Sequence, residues 1–415
     1  MKWSVMKTAV INIGCKVNQC ECDSLMTGLL ARGHEVTDEL VFADNYVINT
    51  CAVTKEAERK SRQFVGKVKK INPRARVFVI GCASEKNFEQ FSLKGVQYIS
   101  GTAKKDAVLE MVDGVHIEPL PTQYESMPLG TNFRARAYVK IEDGCNNFCS
   151  YCIIPYLRGR CRSRSVESIL EECKKASENT DEIVLTGINI SCYGADIGTS
   201  LSELILALAE LPVRIRLGSL EANVIDQSFL DAVIKAGNVC PHFHLSLQSG
   251  SDAVLKSMNR HYTTKEFADK VALIRTYFPT AAITTDIIVG FATESEENFN
   301  ETLAFAKEIA FSDIHVFPYS RRSGTAAYSL GAIPDAVMSD RVKRLSALRD
   351  ELKKEYESAF VGSVLQVIPE TSDGIYFEGH SENYIKVYIP DRDYTAGKII
   401  EVTIEGERPD GLVAK

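Results

Sequence analysis

The run Gly144-Cys145-Asn146-Asn147-Phe148-Cys149-Ser150-Tyr151-Cys152 sets three thiols at C-x3-C-x2-C spacing. Three thiolates without a fourth hold an iron–sulfur cube that keeps one iron free of protein ligands. Such an iron can bind a substrate or cosubstrate. Zinc is the alternative, but structural zinc takes four ligands, usually in C-x2-C pairs. Cys15, Cys51 and Cys82 each stand where an apolar strand gives out, in NIGC, INTC and VIGC. In a parallel sheet those carboxyl ends share one edge, where ligand sites form. Three thiols far apart in sequence can therefore converge on one metal centre, with chance placement of buried cysteines as the alternative.

Elements that position these thiols are legible in the apolar periodicity. Residues 1–120 alternate short strands (KTAVINIG, DNYVINTC, ARVFVIGC) with helices at DSLMTGLLARG and at about Lys55–Ile71. This predicts an open α/β domain with a mainly parallel sheet. The opening MKWSVMKTAVINIG reads as a first buried strand rather than a signal peptide, because no small-residue cleavage site follows its short apolar run. After the looser stretch LPTQYESMPLGTNFR, residues 131–359 hold six candidate strand-and-helix units. Six units suit a partial (βα)6 barrel, with the three-cysteine loop leaving the first strand at the end where barrel chemistry sits. A long helix from about Ser339 to Phe360 closes it. Residues 360–415 read as short strands of a small all-β domain.

Composition narrows the setting. The 415 residues hold 25% charged and 45% hydrophobic residues, an ordinary globular mix with no apolar run long enough for a bilayer. Twelve cysteines are too few for a disulfide scaffold, and their placement by glycines and strand ends favours metal ligation in a reducing compartment, the cytoplasm. A net charge of -7 argues against indiscriminate nucleic-acid binding. Two basic stretches remain: the helix bearing Lys67, Lys69 and Lys70, for which a solvated face is the plain alternative, and Arg158, Arg160, Arg162 and Arg164 beside the cysteine loop. Guanidinium groups there suit a polyanion. The last domain is acidic from Glu370 to Asp410, Asp393 included, and by charge is no RNA binder. His242, His244 and His261 complete no recognised ligand set, so His242 and His244 read as structural.

Taken together, GCKVNQ at 14–19, NTCAVT at 49–54, VIGC at 79–82, GCNNFCSYCIIPYLRGR at 144–160, FHLSLQSGSDAVLKSMNR at 243–260 and TTDIIVGF at 284–291 resemble the radical S-adenosylmethionine (SAM) methylthiotransferases over nearly the whole chain. GCKVNQ and LQSGS most resemble the branch acting on N6-threonylcarbamoyladenosine at tRNA position 37. The resemblance implies two [4Fe–4S] clusters, one on Cys145, Cys149 and Cys152 and an auxiliary one on Cys15, Cys51 and Cys82. It implies a C-terminal TRAM-type domain, a tRNA substrate, a flavodoxin-type electron donor, a sulfur donor and no membrane partner. The reaction implied is transfer of a methylthio group to adenine C2, which is neither acidic nor electrophilic and so calls for one-electron chemistry. Tyr151, Thr186, Gly187, Asn189, Glu221, Gln248, Ser249 and Arg260 would frame SAM, and the two basic stretches would meet tRNA. Isopentenyladenosine, a ribosomal-protein aspartate, or a non-catalytic iron–sulfur sensor or RNA binder are the alternative readings. The chain departs from the family pattern at Cys20, Cys22 and Cys161, and at Phe291-Ala292-Thr293-Glu294-Ser295, where a Pro-Gly turn is usual.

Overall fold

A computed structural model describes residues 5–111, 113–130, 134–392 and 394–415. The first four residues of the opening stretch, residues 131–133 where the second domain is expected to begin, and Asp393 lie outside the described residues.

The first unit comprises β1 (Lys7–Asn12), α1 (Lys16–Ala31), β2 (Glu35–Thr37), β3 (Asn45–Thr50), α2 (Lys55–Ile71), β4 (Arg76–Gly81), α3 (Cys82–Lys86), α4 (Phe88–Ser92), β5 (Tyr98–Ser100) and β6 (Gly114–His116). Its strands pair in parallel in the order β2-β1-β3-β4-β5-β6. Both faces are covered, as a parallel sheet requires. Ile11, Ile48 and Val79 pack with Val65 and Val68 of α2, while Val10, Val47 and Phe78 pack with Leu25 and Leu29 of α1.

Helix α1 begins at Lys16, seven residues before the start anticipated at Asp23. Its first two turns hide their periodicity because Asn18, Glu21 and Asp23 are buried in polar contacts rather than turned to water. Cys20 and Cys22 are consequently helical, buried residues.

The central unit runs through β7 (Ala137–Lys140), β8 (Glu142–Asp143), α5 (Ile154–Arg158), β9 (Arg162–Ser163), α6 (Val166–Ser177), β10 (Glu182–Thr186), α7 (Leu201–Ala207), β11 (Arg214–Leu217), α8 (Gln227–Ala236), β12 (His242–His244), α9 (Asp252–Ser257), α10 (Thr264–Tyr277), β13 (Ala282–Val289), α11 (Glu296–Ile309) and β14 (Asp313–Pro318). Strands β7-β10-β11 and β12-β13-β14 form two parallel sheets, joined edge to edge by parallel bridges at Ile215–Val239 and Leu220–Leu245. The result is a radical-SAM-like α/β core. The altered turn before α11 is not slack: Glu294 accepts the Gly290 N–H at 2.8 Å and pairs with Arg341 at 2.8 Å, and Ser295 caps the helix.

Helix α12 (Asp335–Ser358) leads to β15 (Val364–Ser372), β16 (Tyr376–Ser381), β17 (Lys386–Pro390), β18 (Ile400–Arg408) and β19 (Gly411–Ala414), a closed barrel in the order β15-β16-β17-β19-β18. Strand β19 is too short to announce itself in sequence, yet it closes the ring.

Charge docks this barrel on the core. Glu182 lies 2.6 Å from Arg214 and 2.7 Å from Arg216, with Arg136 at 3.6 Å. The same arginines reach across: Arg214 donates to the Gln366 and His380 carbonyls at 2.7 and 3.0 Å, and Arg216 to those of Glu382 and Ser381 at 3.0 and 2.9 Å. Burial pushes the Glu182 carboxyl up, but Arg216, Arg214 and Arg136 outweigh it and hold the group at about 2, below its ordinary 4.5. Its contribution is therefore whole above pH 4.5 and lost as pH falls toward 2. Glu182→Gln should cost about 3–5 kcal/mol, as for a buried pair robbed of one partner. Hydrogen exchange near neutral pH should show the β15 and β16 amides opening first in the variant, whereas the wild type should loosen there only on acidification.

Candidate metal centre and active site

The three-cysteine loop is held from several sides. Gly144 has φ +89°, and a Cβ there would stand 2.0 Å from the Arg160 carbonyl oxygen, so only glycine fits. The Cys145 N–H donates to the Gly159 carbonyl at 3.1 Å and the Cys152 N–H to that of Cys149 at 3.0 Å. Ser150 donates from its backbone to the Met258 carbonyl at 2.9 Å and from Oγ to that of Ser257 at 2.8 Å. Phe148 takes φ +48°, and Asn259 Nδ2 holds its carbonyl at 3.1 Å. Two nitrogen donors face the sulfurs: Arg260 Nη1 at 3.3 Å from Cys149 and Asn189 Nδ2 at 3.8 Å from Cys145.

The second triad gathers on the carboxyl edge of the first sheet. Cys15 precedes α1 as its N-cap, Cys51 follows β3, and Cys82 opens α3. Gly81 makes that approach possible, with φ +102° and a Cβ position 2.5 Å from Asn49 Oδ1. Cys82 Sγ accepts from Arg158 Nε at 3.2 Å. The three thiols feel one another, for both Cys82 and Cys15 act to raise the Cys51 pKa. Cys20 and Cys22 face elsewhere: Cys20 Sγ lies 3.4 Å from the Tyr138 carbonyl, and Cys22 packs in the core with Leu25 and Phe78. Cys161 is joined to Cys192 in a disulfide.

The arginine run is mostly interior, which corrects the expectation that it faces a polyanion. Arg158 is 1% exposed. Its Nη1 reaches Glu21 and Asp143 at 3.0 Å each, and its Nη2 reaches Asn18 at 3.2 Å. Arg162 donates to the Arg158 and Arg160 carbonyls at 2.8 and 2.6 Å, and Arg164 pairs with Glu172. Buried acceptors on the protein's own segments claim all three. Arg160 alone of the four is exposed, lying 4.2 Å over the Phe148 ring. On α2, Lys67 and Lys70 are exposed, while Lys69 is bound to the Ala75 carbonyl at 2.9 Å.

Around the loop the structure brings together Asn189, Glu221 and Arg260. Glu221 accepts from Asn147 Nδ2 and lies 3.4 Å from Arg260. Thr186 and Gly187 line a cavity shared with Cys15. Gln248 takes φ +72° as its backbone bridges to β13, and Tyr151 stands edge-on to Phe291 at 6.5 Å. Ser249 does not join them: it is fully buried, its Oγ 3.4 Å from Thr302. Asn147 escapes a reading of the sequence, although it sits inside the cysteine motif. Glu142 escapes it too; its carboxylate accepts the Asn189 N–H at 2.7 Å, and burial pushes it up to about 8.

The donor sets fit iron–sulfur clusters better than zinc. Four thiolates about 2.3 Å from one zinc ion would lie within roughly 4 Å of each other. Neither triad has its three sulfurs all within 4.8 Å of one another. Burial also pushes Cys51 and Cys152 up to about 12, so these groups remain thiols until a metal takes their protons.

Fold and donor sets together define a radical SAM protein. Residues 139–306 match the Radical SAM superfamily model, and residues 7–100 match the model described as Uncharacterized protein family UPF0004. The chain belongs to the radical SAM methylthiotransferase family. It is 38% identical to threonylcarbamoyladenosine tRNA methylthiotransferase MtaB of Bacillus subtilis over 94% of this chain and 92% of the relative. It is 36% identical to the protein of that name from Aquifex aeolicus, over 92% and 96%. The tRNA-2-methylthio-N(6)-dimethylallyladenosine synthase of Desulforamulus reducens is 32% identical over 97% and 93%. Among solved structures, the radical SAM methyltransferase TsrM of Kitasatospora setae shares the fold at TM-score 0.58 and 14% identity, covering 78% of this chain and 77% of that one.

Arg158→Ala would leave Glu21 and Asp143 with Lys140 as their one remaining shared cation, at a cost of about 3–5 kcal/mol. Thermal unfolding should show a large fall in Tm, and Arg158→Lys should not restore it, because an ammonium cannot span the partners that a guanidinium fork reaches. Arg160→Ala should leave Tm unchanged.

Proposed function

We propose that this chain transfers a methylthio group to C2 of N6-threonylcarbamoyladenosine at tRNA position 37. The observation that carries this reading is the similarity to threonylcarbamoyladenosine tRNA methylthiotransferases, 38% over 94% of the chain, together with two separate thiol triads. The six parallel strands, in chain order, suit a partial (βα)6 barrel, and the closing five-stranded barrel suits a TRAM-type domain.

In this reading Cys145, Cys149 and Cys152 hold one [4Fe–4S] cluster and Cys15, Cys51 and Cys82 a second. When bound, the clusters and SAM supply the one-electron chemistry and the sulfur delivery that an unactivated C–H bond requires. The protein supplies orientation and electrostatics. Arg260 and Asn189 direct N–H groups at the sulfurs of Cys149 and Cys145, 3.3 and 3.8 Å away. Glu221, oriented by Asn147 and Arg260, presents carboxylate oxygens to the hydroxyl or amino groups of SAM. Thr186, Gly187 and Gln248 offer backbone groups at strand ends, and Tyr151 poses the loop against Phe291. Ser249 supports the following turn through Gly250 and Thr302.

The tRNA face is the exposed side of α2 with Arg160. Lys60, Lys67 and Lys70 are exposed there. The N-terminus of α2 is tied to the loop after β14 by Arg322–Glu58 and by the Lys55 N–H on Ser320 Oγ at 3.0 Å. That loop in turn donates the Ala327 N–H to the Ser150 carbonyl inside the cysteine motif at 2.7 Å. This bonded path from α2 to the cysteine motif supports the exposed side of α2 as the tRNA surface. Lys67→Ala with Lys70→Ala should flatten the slope of log K against log salt by about 0.7–0.9 for each phosphate that goes unneutralised, measured by filter binding across a salt series. Nucleoside selectivity should not change.

The decisive experiment is anaerobic reconstitution followed by incubation with tRNA bearing N6-threonylcarbamoyladenosine, SAM, sulfide and reductant, with digested nucleosides read by mass. Gain of a methylthio group on that nucleoside is the expected result. SAM cleavage with the nucleoside unchanged would reject the substrate and keep the radical chemistry. Absence of both would favour a sensor or binding protein.

A further inference from the structure

A cavity of about 490 Å³ runs from Cys15, Lys16 and Val17 past Thr186 and Gly187, along the inner faces of β11 to β14, to Tyr384 of the C-terminal barrel. Its wall carries charged side chains, most of which have a polar partner. Arg216 pairs with Glu182 at 2.7 Å. Asp286 lies 3.3 Å from His244 Nε2 and 3.1 Å from His315 Nδ1. Lys353 lies 3.3 Å from Asp313 and 3.9 Å from Glu357. Lys16 is the exception: among the described residues no carboxylate stands within ion-pair distance of its ammonium, which is exposed at the cavity mouth. A second feature of the same place is independent of that side chain. Helix α1 starts there with no side-chain cap from Cys15 and no acidic residue in its first turn. The positive dipole end of a 16-residue helix thus faces the cavity beside Cys15 without a protein carboxylate in its first turn.

We propose that this cavity receives the N6 substituent of the target adenine and that Lys16 pairs with the carboxylate that substituent carries. The inference rests on the reading that the target is N6-threonylcarbamoyladenosine, whose threonyl part ends in a free carboxylate and a hydroxyl. A carboxylate entering the cavity meets an unpaired ammonium and the start of α1, while Asp286 is already engaged by His244 and His315 and Asp313 by Lys353. A dimethylallyl group would bring only hydrocarbon and would leave that cation desolvated without a partner. Because Lys16 directly follows Cys15, a carboxylate held there also places the base beside the second thiol triad. Lys16 is thus a binding residue that separates an anionic from an apolar N6 substituent.

The test compares two forms of the same tRNA, one with the threonyl carboxylate free and one with it capped as the methyl amide by carbodiimide coupling. Initial rates of methylthiolation are taken with the reconstituted wild type, Lys16→Met and Lys16→Arg, each checked for iron and sulfide content. The wild type should favour the free carboxylate by about tenfold to a hundredfold in kcat/KM, the range of a charge-assisted hydrogen bond. Lys16→Met should lose that preference by reacting more slowly with the free form alone, and Lys16→Arg should recover part of it. A wild type that treats both tRNAs alike overturns the carboxylate subsite whatever the variants do. A preference that persists in Lys16→Met overturns the role of Lys16. A wild type that cleaves SAM yet modifies neither tRNA overturns the substrate reading beneath both.

Discussion

The buried guanidinium of Arg158 is the constraint on which the rest of the site depends. A cation with 1% exposure must find its compensation within the protein, and this one finds it on three separate segments. Asp143 belongs to the strand end that leads into Cys145, Glu21 to the helix that follows Cys15, and the sulfur to Cys82. Lys105 and Lys140 complete the cluster, at 2.7 and 3.2 Å from Glu21. With Arg162 4.0 Å from Asp143, four cations thus meet two carboxylates. Burial pushes the Cys82 thiol up, and the positive charge of Arg158 and Lys105 beside it acts in the other direction. These shared contacts tie the segments that carry the two thiol triads together.

The apolar contacts across the same boundary follow this pairing. Ile153, Ile154 and Leu157, from the loop and helix after Cys152, pack into the core of the first sheet with Ile48, Val79 and Ala83. The C-terminal barrel is attached by the same means, through Glu182 and three arginines, two of which also cap strand carbonyls. A buried ion pair is seldom the most stabilising way to fill an interface, but it tolerates few alternative alignments. Units that must hold two metal sites and a base in register have a use for that selectivity.

The thiol motifs and the strand alternation are legible in the chain because each rests on a local signal: ligand spacing in one case, short apolar runs in the other. Arg158, Arg162 and Arg164 are not. A sequence displays their charge but not Glu21, Asp143 and Glu172, which neutralise them, so residues that look like a polyanion contact turn out to be interior. The start of α1 is obscured for a related reason, since Asn18 and Glu21 are polar residues on a buried face. Cys20 and Cys22 look like rival ligands only while that segment passes for a loop. Helical geometry turns both away from Cys15.

The net charge of -7 is compatible with an RNA substrate once its placement is known. Arg136, Arg158, Arg214 and Arg216 are consumed inside the protein as orienting devices, so they add nothing to the external field. The acidic residues of the C-terminal barrel stand largely on its surface, where Lys386 answers only Glu378 and Asp410. What a phosphate backbone meets is set by where charges are exposed, not by their sum. On this chain the exposed cations of α2 belong to the domain that carries the second thiol triad, and a bonded path links that helix to the Ser150 carbonyl. Exposed cations gathered on one helix and acids spread over another domain would orient a polyanion more sharply than a uniformly basic surface.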